Sequence, residues 1–419
     1  MPNQQMHNHI PALRFPEFQN NGEWEVKRLG EIAEFYKGKG ISKTEASDKG
    51  QTPCVRYGEL YTHYKEIIRE IKSFTDIPTE ELFLSKANDV VIPSSGETKE
   101  DISTASCIMN DNVALGGDIN VIRSPNDGVF LSYYLNNAKK NDIAKIAQGV
   151  SIIHLYNEQL KNLQICIPSF EEQRKIATCL SSMDELLTAT NEKIKQLMAF
   201  KKGLMQKLFP AKGKKLPELR FKEFEKDGEW IEKKLGEVTK VVNRRNKSNR
   251  NLPIFSISNK EGFILQSEQF DGLDSVSRGY DISLYKIVTS HTFAYNPARI
   301  NVGSIGYSGN IKECLISSLY VCFKTTEEIE DLFLMYFFDT LSFNQSVENN
   351  VEGGIRAYLF YENFSKIKIL FPSILEQKRI ASCLKAVDEE INAVSDRASE
   401  LEKQKKGLMQ KLFPVTKNN

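Results

Sequence analysis

Pro11–Ile32 reads PALRFPEFQNNGEWEVKRLGEI, and Pro217–Val238 reads PELRFKEFEKDGEWIEKKLGEV. The register between the two is constant: Phe15 matches Phe221, Trp24 matches Trp230 and Gly30 matches Gly236. The protein's 2 tryptophans therefore occupy the same place in two copies of one segment. A second block repeats further on, Ile167–Leu180 (IPSFEEQRKIATCL) against Phe371–Leu384 (FPSILEQKRIASCL). Lys201–Pro210 and Lys405–Pro414 are the same ten residues, KKGLMQKLFP. The chain is a duplication, and a repeat of this period organises everything else. Between the shared blocks the halves diverge: residues 34–164 and 239–368 are similar in length and share little sequence. Shared segments imply one partner met twice, and divergent segments imply two different ligands, or two parts of one.

After Pro168 the apolar positions run Ile176, Leu180, Met183, Leu187, Ile194, Leu197, Leu204 and Leu208, with Thr190 and Lys201 interrupting. The second copy runs Ile380, Leu384, Val387, Ile391, Val394, Ala398, Leu401, Leu408 and Leu412, with Lys405 interrupting. Steps of four and three define a heptad stripe. Each stripe covers about 40 residues, roughly 60 Å of helix. Pro168 and Pro372 mark the approaches to the helices, and Pro210 and Pro414 their ends. The two stripes are expected to bury each other as an antiparallel pair with a pseudo-two-fold axis; packing of each helix on its own globular domain is the alternative. The expected division is 1–168, a first globular domain with its repeat segment; 169–215, the first long helix; 216–372, a second domain with its repeat segment; and 373–419, the second long helix.

Both divergent regions read as mixed α/β. Short β-type runs at Asp89–Pro93, Asn120–Arg123, Lys286–Thr289 and Leu319–Phe323 are separated by turn residues. Helices are expected at Val129–Asn137 and Asp331–Leu341, and a short one at Leu29–Ala33 with its repeat at Leu235–Val238. The fold class is α/β (α+β): two mixed globular domains and two long coiled-coil helices.

The chain of 419 residues has a formal charge of +1, 40% hydrophobic and 26% charged residues, ordinary values for a globular protein of several domains. Net charge therefore gives no argument for nucleic acid, and local charge must carry it. Lys37, Lys39 and Lys43 fall in a glycine-containing loop, FYKGKGISK. Lys240, Arg244, Arg245, Lys247 and Arg250 fall in KVVNRRNKSNR, which has no acid. Interleaved Asn and Arg suit contacts to phosphates and base edges, although solvated basic loops read the same way. Arg56, Tyr57, Tyr61, His63 and Tyr64 form a polar aromatic cluster (RYGELYTHY), and Tyr295, Asn296, Arg299 and Asn301 another (AYNPARINVGS). Strand-edge residues satisfying turns would give the same pattern. Ser94, Ser95, Lys99, Asn259, Lys260 and Arg356 complete the candidate DNA contacts. Gly149 and Gly353–Gly354 precede the last strand of each domain and suit either a phosphate approach or a plain turn.

Several chemistries lack their motifs. No Walker A stretch occurs, nor the acidic-or-Asn, Pro-Pro, aromatic motif with a glycine-rich loop that an adenine methyltransferase needs. The 7 cysteines form no CxxC pair and the 5 histidines no ligand spacing, so free thiols in a reducing compartment and no metal are expected. No signal peptide pattern is read at the start, no apolar run reaches the length of about 18 residues that a membrane helix needs, and a cytoplasmic location is the expectation.

The repeated RFxEF…GEW…LGE openings, the IPSFEEQRKIA and FPSILEQKRIA segments and the twin KKGLMQKLFP ends resemble the specificity subunits of type I restriction–modification systems over nearly the whole chain. The resemblance implies two target-recognition domains, each reading one half of an asymmetric bipartite DNA site, with the antiparallel helices setting the spacer. It implies a subunit that is itself non-catalytic and without cofactor, present once per complex. Two methylation subunits would dock on the repeated helices and bring S-adenosylmethionine. Two restriction subunits would bring ATP- and magnesium-dependent translocation and cleavage. Half-sites met from one face of DNA lie about one turn, roughly 10 bp, apart. The competing reading from another class is a coiled-coil scaffold joining two protein-binding domains. The variable domains follow no family motif, so recognition residues cannot be transferred to them.

Overall fold

The computed structural model describes residues 9–259, 261–351 and 358–414. The chain divides into two compact units: residues up to Glu192 together with those from Ser395, and Lys193–Val394. The long helices run Phe170–Leu208 and Ile374–Leu412, and each is divided near its middle between the two units. Each unit thus holds one globular region, the first part of one long helix and the last part of the other.

The two globular regions share a plan that their sequences hide. In the first unit one sheet has the order Glu34–Lys37, Ile119–Arg123, Val90–Pro93, Ser106–Ile108, Ile67–Ile68. In the second, the order Thr239–Val241, Val321–Thr325, Phe293–Tyr295, Ile305–Tyr307 repeats its first four strands. A second sheet in each unit is built around a parallel pair, Thr52–Val55 with Ala114–Leu115 and Ile254–Ser258 with Glu313–Ile316. The repeated GEW segment closes the globular region: Glu25–Arg28 pairs with Gln164–Ile167, and Ile231–Lys234 with Lys368–Phe371.

The repeated residues are repeated because they make the same contacts. Arg14 forms a two-point ion pair with Glu172 (2.8 and 2.7 Å), and Arg220 one with Glu376 (2.9 and 2.8 Å). Both carboxylates are 1% exposed, and each arginine also donates to carbonyls at the following Gly-containing turn (Asn21 and Gly22; Asp227 and Gly228). Buried charges persist only when paired and hydrogen-bonded in this way. Gln173 donates to the Pro168 carbonyl and Gln377 to the Pro372 carbonyl, both at 2.9 Å, which ties each long helix to the strand before it. Glu31 and Glu237 accept from the backbone N–H of Arg28 (2.9 Å) and Lys234 (2.7 Å), capping the short helices Leu29–Ile32 and Leu235–Val238. Between them sits the glycine of LGE. A Cβ on Gly30 would lie 3.0 Å from Lys161 Cβ, and one on Gly236 2.8 Å from Ser365 Cβ.

Inside each unit the two helix segments run antiparallel. In the first, Ile176 and Leu180 join Leu408, Leu412 and Phe413 around Trp24, Phe130 and Tyr134. In the second, Ile380 and Leu384 join Leu204, Leu208 and Phe209 around Trp230 and Phe333. Of the expected seam residues, Ile176, Leu180, Leu187, Ile380, Leu384, Ile391 and Leu401 are buried, and Met183, Ile194, Leu197 and Val387 half-buried.

The lysines that interrupt the stripes have a use. Lys405 bonds Asp184 at 2.6 Å, lies 5.3 Å from the Tyr133 ring centre, and Tyr133 donates its hydroxyl to the same Asp184. In the second unit Lys201 bonds Asp388 at 2.7 Å and lies 5.1 Å from the Tyr336 ring, and Tyr336 donates to Asp388 at 2.8 Å. Each knot joins the two helix segments to a helix of the globular region, Gly128–Asn137 or Asp331–Phe338. A polar group at one seam position fixes register and direction, because any slip leaves it unpaired.

The expected helix at Asp331–Leu341 is two. Asp331–Phe338 ends, and Thr340 caps Leu341–Asn350 by accepting from the Phe343 N–H at 3.2 Å. The strand expected at Leu319–Phe323 is shifted to Val321–Thr325, after the turn in which Tyr320 N–H bonds the Ser317 carbonyl.

Candidate nucleic-acid interface

In the first unit the parallel pair places Cys54 beside Ala114 and Val55 beside Leu115, so Arg56 and Gly116 leave the sheet side by side. Gly116 N–H bonds the Val55 carbonyl at 2.9 Å, and a Cβ on Gly116 would lie 3.4 Å from Arg56 Cα. The lysine loop joins them. Gly38 N–H bonds the Ile119 carbonyl and Lys39 N–H the Leu115 carbonyl, both at 2.9 Å. A Cβ on Gly38 would fall 2.0 Å from the Gly116 carbonyl oxygen, so only glycine fits this crossing.

These loops wall a cavity of about 980 Å³ lined by residues 40–43, Glu45, 56–59, 61–63 and 116–118. Five predicted contacts, Lys43, Arg56, Tyr57, Tyr61 and His63, are therefore brought together from two separate segments. Burial is the main reason that the Tyr61 hydroxyl is pushed up from its ordinary value, which keeps it a neutral donor. Lys37 and Lys39 are exposed beside the cavity, and Lys99 is exposed on the short helix Lys99–Ile102. Ser95 Oγ and His154 Nδ1 are 3.2 Å apart, so this half-buried hydroxyl is already engaged.

Ser94 does not belong with the candidate contacts. It is 4% exposed, its N–H bonds the Asp118 carbonyl and its carbonyl accepts from Leu155 N–H. Its expected role fails because the chain at this strand end is covered by backbone on both sides.

In the second unit Asn259 follows the parallel strand Ile254–Ser258, at the same end as Arg56 in the first. Gly303 packs beside it, a Cβ there lying 3.6 Å from the Asn259 carbonyl. Gly303 has φ +85°, which closes the turn carrying the exposed Arg299 and Asn301. Asn296 is half-buried and spends its side-chain oxygen on Ala298 N–H (3.0 Å). Tyr295, expected among the DNA contacts, is instead 0% exposed in the interior strand Phe293–Tyr295, with its ring 5.1 Å from that of Phe364. Alternation within a strand buried on both faces leaves it no surface to read from. Lys260, Arg356 and Gly353–Gly354 lie outside the described residues.

The basic stretch is a separate patch. Arg250 makes a two-point pair with Glu313, which Arg244 also approaches at 3.4 Å, and Arg250 holds the Glu313 carboxyl below its ordinary range. Arg250 precedes the strand that Asn259 follows, and five residues of strand span about 16 Å. Arg245 and Lys247 are exposed. The structure thus gathers Asn259, Arg299 and Asn301 in one place and Arg244, Arg245, Lys247 and Arg250 in another.

Sequence reading missed the loop after the second parallel strand, Gly116–Asp118 in one unit and Ser317–Leu319 in the other. The Gly116–Gly117 pair was its only signal; the rest depends on strand pairing across some sixty residues. Among the described residues no group of His, Cys, Asp or Glu could hold a metal ion, no helix is long and apolar enough to cross a membrane, and all seven cysteines are unbridged.

A doubled fold with shared helices and a divergent polar surface at equivalent strand ends has known counterparts. The family model described as type I restriction modification DNA specificity domain matches the chain twice, over residues 21–199 and 227–403. The chain belongs to this family. It is 26% identical over 427 residues to the type I restriction enzyme MjaVIII specificity subunit of Methanocaldococcus jannaschii, covering 96% of this chain and 93% of that one. The crystal structure of the type I restriction–modification S subunit from M. genitalium has the same fold, with a TM-score of 0.61 at 16% identity, over 97% of this chain and 100% of that one. A structure described under complex assembly and conformational transition of the type I system gives a TM-score of 0.52 at 16% identity, over 93% and 97% of the two chains.

Proposed function

We propose that this chain reads an asymmetric, bipartite sequence in double-stranded DNA, one half per unit, as the specificity subunit of a type I restriction–modification complex. One observation carries the reading. Two units with the same strand plan present different loops at the same strand ends, framed by near-identical segments. In the first unit the reading surface is the cavity around Arg56, with Lys37, Lys39 and Lys43 on phosphates. In the second it is Asn259, Arg299 and Asn301, with Arg245 and Lys247 on phosphates. The chain itself contributes recognition and no catalysis, and one copy serves each complex in the cytoplasm.

The repeated helix ends are the docking places of two methylation subunits, which would bring S-adenosylmethionine to adenine; two restriction subunits would join through them with ATP and magnesium. Gly203 and Gly407 support this. A glycine inside a helix costs about 0.5–1 kcal/mol relative to alanine. Yet a Cβ at either position would meet nothing within 4 Å. Both copies keep a glycine that the chain itself does not need, which suits close approach of another protein at the same place twice.

The test is binding of the chain, assembled with its methylation subunits, to a fluorescent DNA pool at several salt concentrations. Affinity that falls steeply with salt, by a log–log slope of about −0.9 per neutralised phosphate, is expected. Absence of salt-dependent binding would move the coiled-coil scaffold to the front.

A further inference from the structure

We infer that Arg56 is the guanine-reading side chain of the first unit, so that the half-site read there contains a G·C pair met in the major groove. The inference rests on the DNA-reading function proposed above and adds which base and which residue.

The guanidinium is held in place from behind. Glu59, 4% exposed, accepts from Arg56 N–H at 2.8 Å and from Arg56 Nη2 at 3.4 Å. Ser73 donates its hydroxyl to the same carboxylate, which pins Glu59 from a neighbouring strand. The strand end that carries Arg56 is tied to Gly116, whose N–H bonds the Val55 carbonyl at 2.9 Å; a Cβ on Gly116 would lie 3.4 Å from Arg56 Cα and 3.7 Å from Cγ. The side chain nevertheless remains 26% exposed, although its Nε–H is buried and meets no acceptor among the described residues. The fork is oriented, and what a base edge can meet is the exposed part of this side chain, not the buried Nε–H.

The surroundings separate a base edge from a phosphate. Three carboxylates, Glu45, Glu59 and Asp118, line the same cavity and oppose a phosphate inside it. Mobile ammonium groups serve phosphates without orientation, and the exposed lysines of the neighbouring loop supply them. A buttressed guanidinium matches instead the paired O6 and N7 acceptors of guanine, for which a planar fork at fixed angle is needed. Gly40, Gly58, Gly116 and Gly117 leave that part of the wall without side chains. A duplex edge can therefore come close.

The experiment is a methylation map by single-molecule sequencing of cells carrying the methylation subunit with the parent chain, Arg56→Ala, Arg56→Lys, Glu59→Gln or Arg299→Ala. The parent motif is expected to hold a fixed G·C pair in one half. Arg56→Ala and Arg56→Lys should lose discrimination at that single position by roughly 10- to 100-fold, because lysine keeps the charge but not the fork. Glu59→Gln should loosen the same position less. The other half should stay intact in all three and change only in Arg299→Ala. A parent motif without G·C in the half affected, or an unchanged motif in Arg56→Lys, overturns the assignment. If Arg56→Ala does not fold, Arg56→Lys with an unchanged melting temperature decides alone. A parent chain that yields no bipartite motif overturns the underlying DNA-reading function instead, a separate outcome.

Discussion

Lys405→Met removes the charge that ties Asp184 to the opposing helix segment while keeping the aliphatic stem. Lys405 is 14% exposed and Asp184 24%, so the pair lies between two measured regimes. Exposed ion pairs contribute under about 1 kcal/mol, and breaking a fully buried one costs about 3–5 kcal/mol. The contact of Lys405 with the Tyr133 ring adds about 0.5–1 kcal/mol. The carboxylate left behind still accepts from Tyr133, which keeps the penalty short of the buried limit. The expected loss is about 2–3 kcal/mol. At about 2–4 °C per kcal/mol for a unit of this size, the melting temperature should fall by roughly 4–12 °C. Asp184→Asn removes the other charge, and the double variant should be no worse than Lys405→Met alone, giving a coupling of about 1–2 kcal/mol. Thermal unfolding of the four proteins supplies the cycle, and hydrogen exchange over Phe170–Glu192 locates the loss. The same cycle at Lys201 and Asp388 should give the same coupling. Losses that simply add in the double variant would refute the idea that these lysines set the seam.

Gly203→Ala should raise helix stability by about 0.5–1 kcal/mol while weakening the docking of one of the two methylation subunits proposed to bind the repeated helix ends; titration by analytical ultracentrifugation would show a complex with one subunit in place of two, and unchanged stoichiometry and affinity would contradict the role given to the glycine. Mass spectrometry after brief alkylation of the native chain should find Cys179 and Cys383 labelled first, since both are half-buried on the repeated helices. Burial pushes the Cys54 and Cys322 thiols up to about 11 and those of Cys107 and Cys314 to about 12, so these should label only on unfolding. Burial also raises the Glu330 carboxyl above its ordinary value, so the folded unit disfavours its charge. Glu330→Gln, which keeps an acceptor for Phe333 N–H, should melt higher than the parent at neutral pH. That gain is complete above the folded-state pKa and disappears as pH falls below the ordinary 4.5, where both states are protonated. Melting curves over roughly pH 4 to 8 check it, and a gain that grows toward acid would reverse the sign.

Sequence legibility followed the physics of each region. The repeat was readable because many of its residues serve the same contacts twice, the Arg14–Glu172 and Arg220–Glu376 pairs above all. The heptad stripe was readable too, although the interruptions at Lys201 and Lys405 became intelligible only with Asp388 and Asp184 opposite them. The break at Thr340 was hidden inside an apolar run; a Thr three residues before Phe343 was the one capping signal. Tyr295 and Ser94 were misplaced for a common reason. Each has a polar neighbour in the sequence, Asn296 or Ser95, but Tyr295 ends and Ser94 directly follows a strand that is interior to its sheet and buried on both faces. The cavity could not be read at all, since it forms only when Thr52–Val55 and Ala114–Leu115 pair in parallel. Nor could the separation of the second unit's basic stretch from Asn259, which the length of one strand decides.

The central claim is that this chain alone chooses the DNA sequence, in two halves. A methylome map of cells with and without it, the methylation subunit being present in both, tests this most directly. The account predicts one asymmetric bipartite motif, with adenine modified on both strands, that appears only when the chain is present. An unchanged set of motifs beside an active methylation subunit would contradict it.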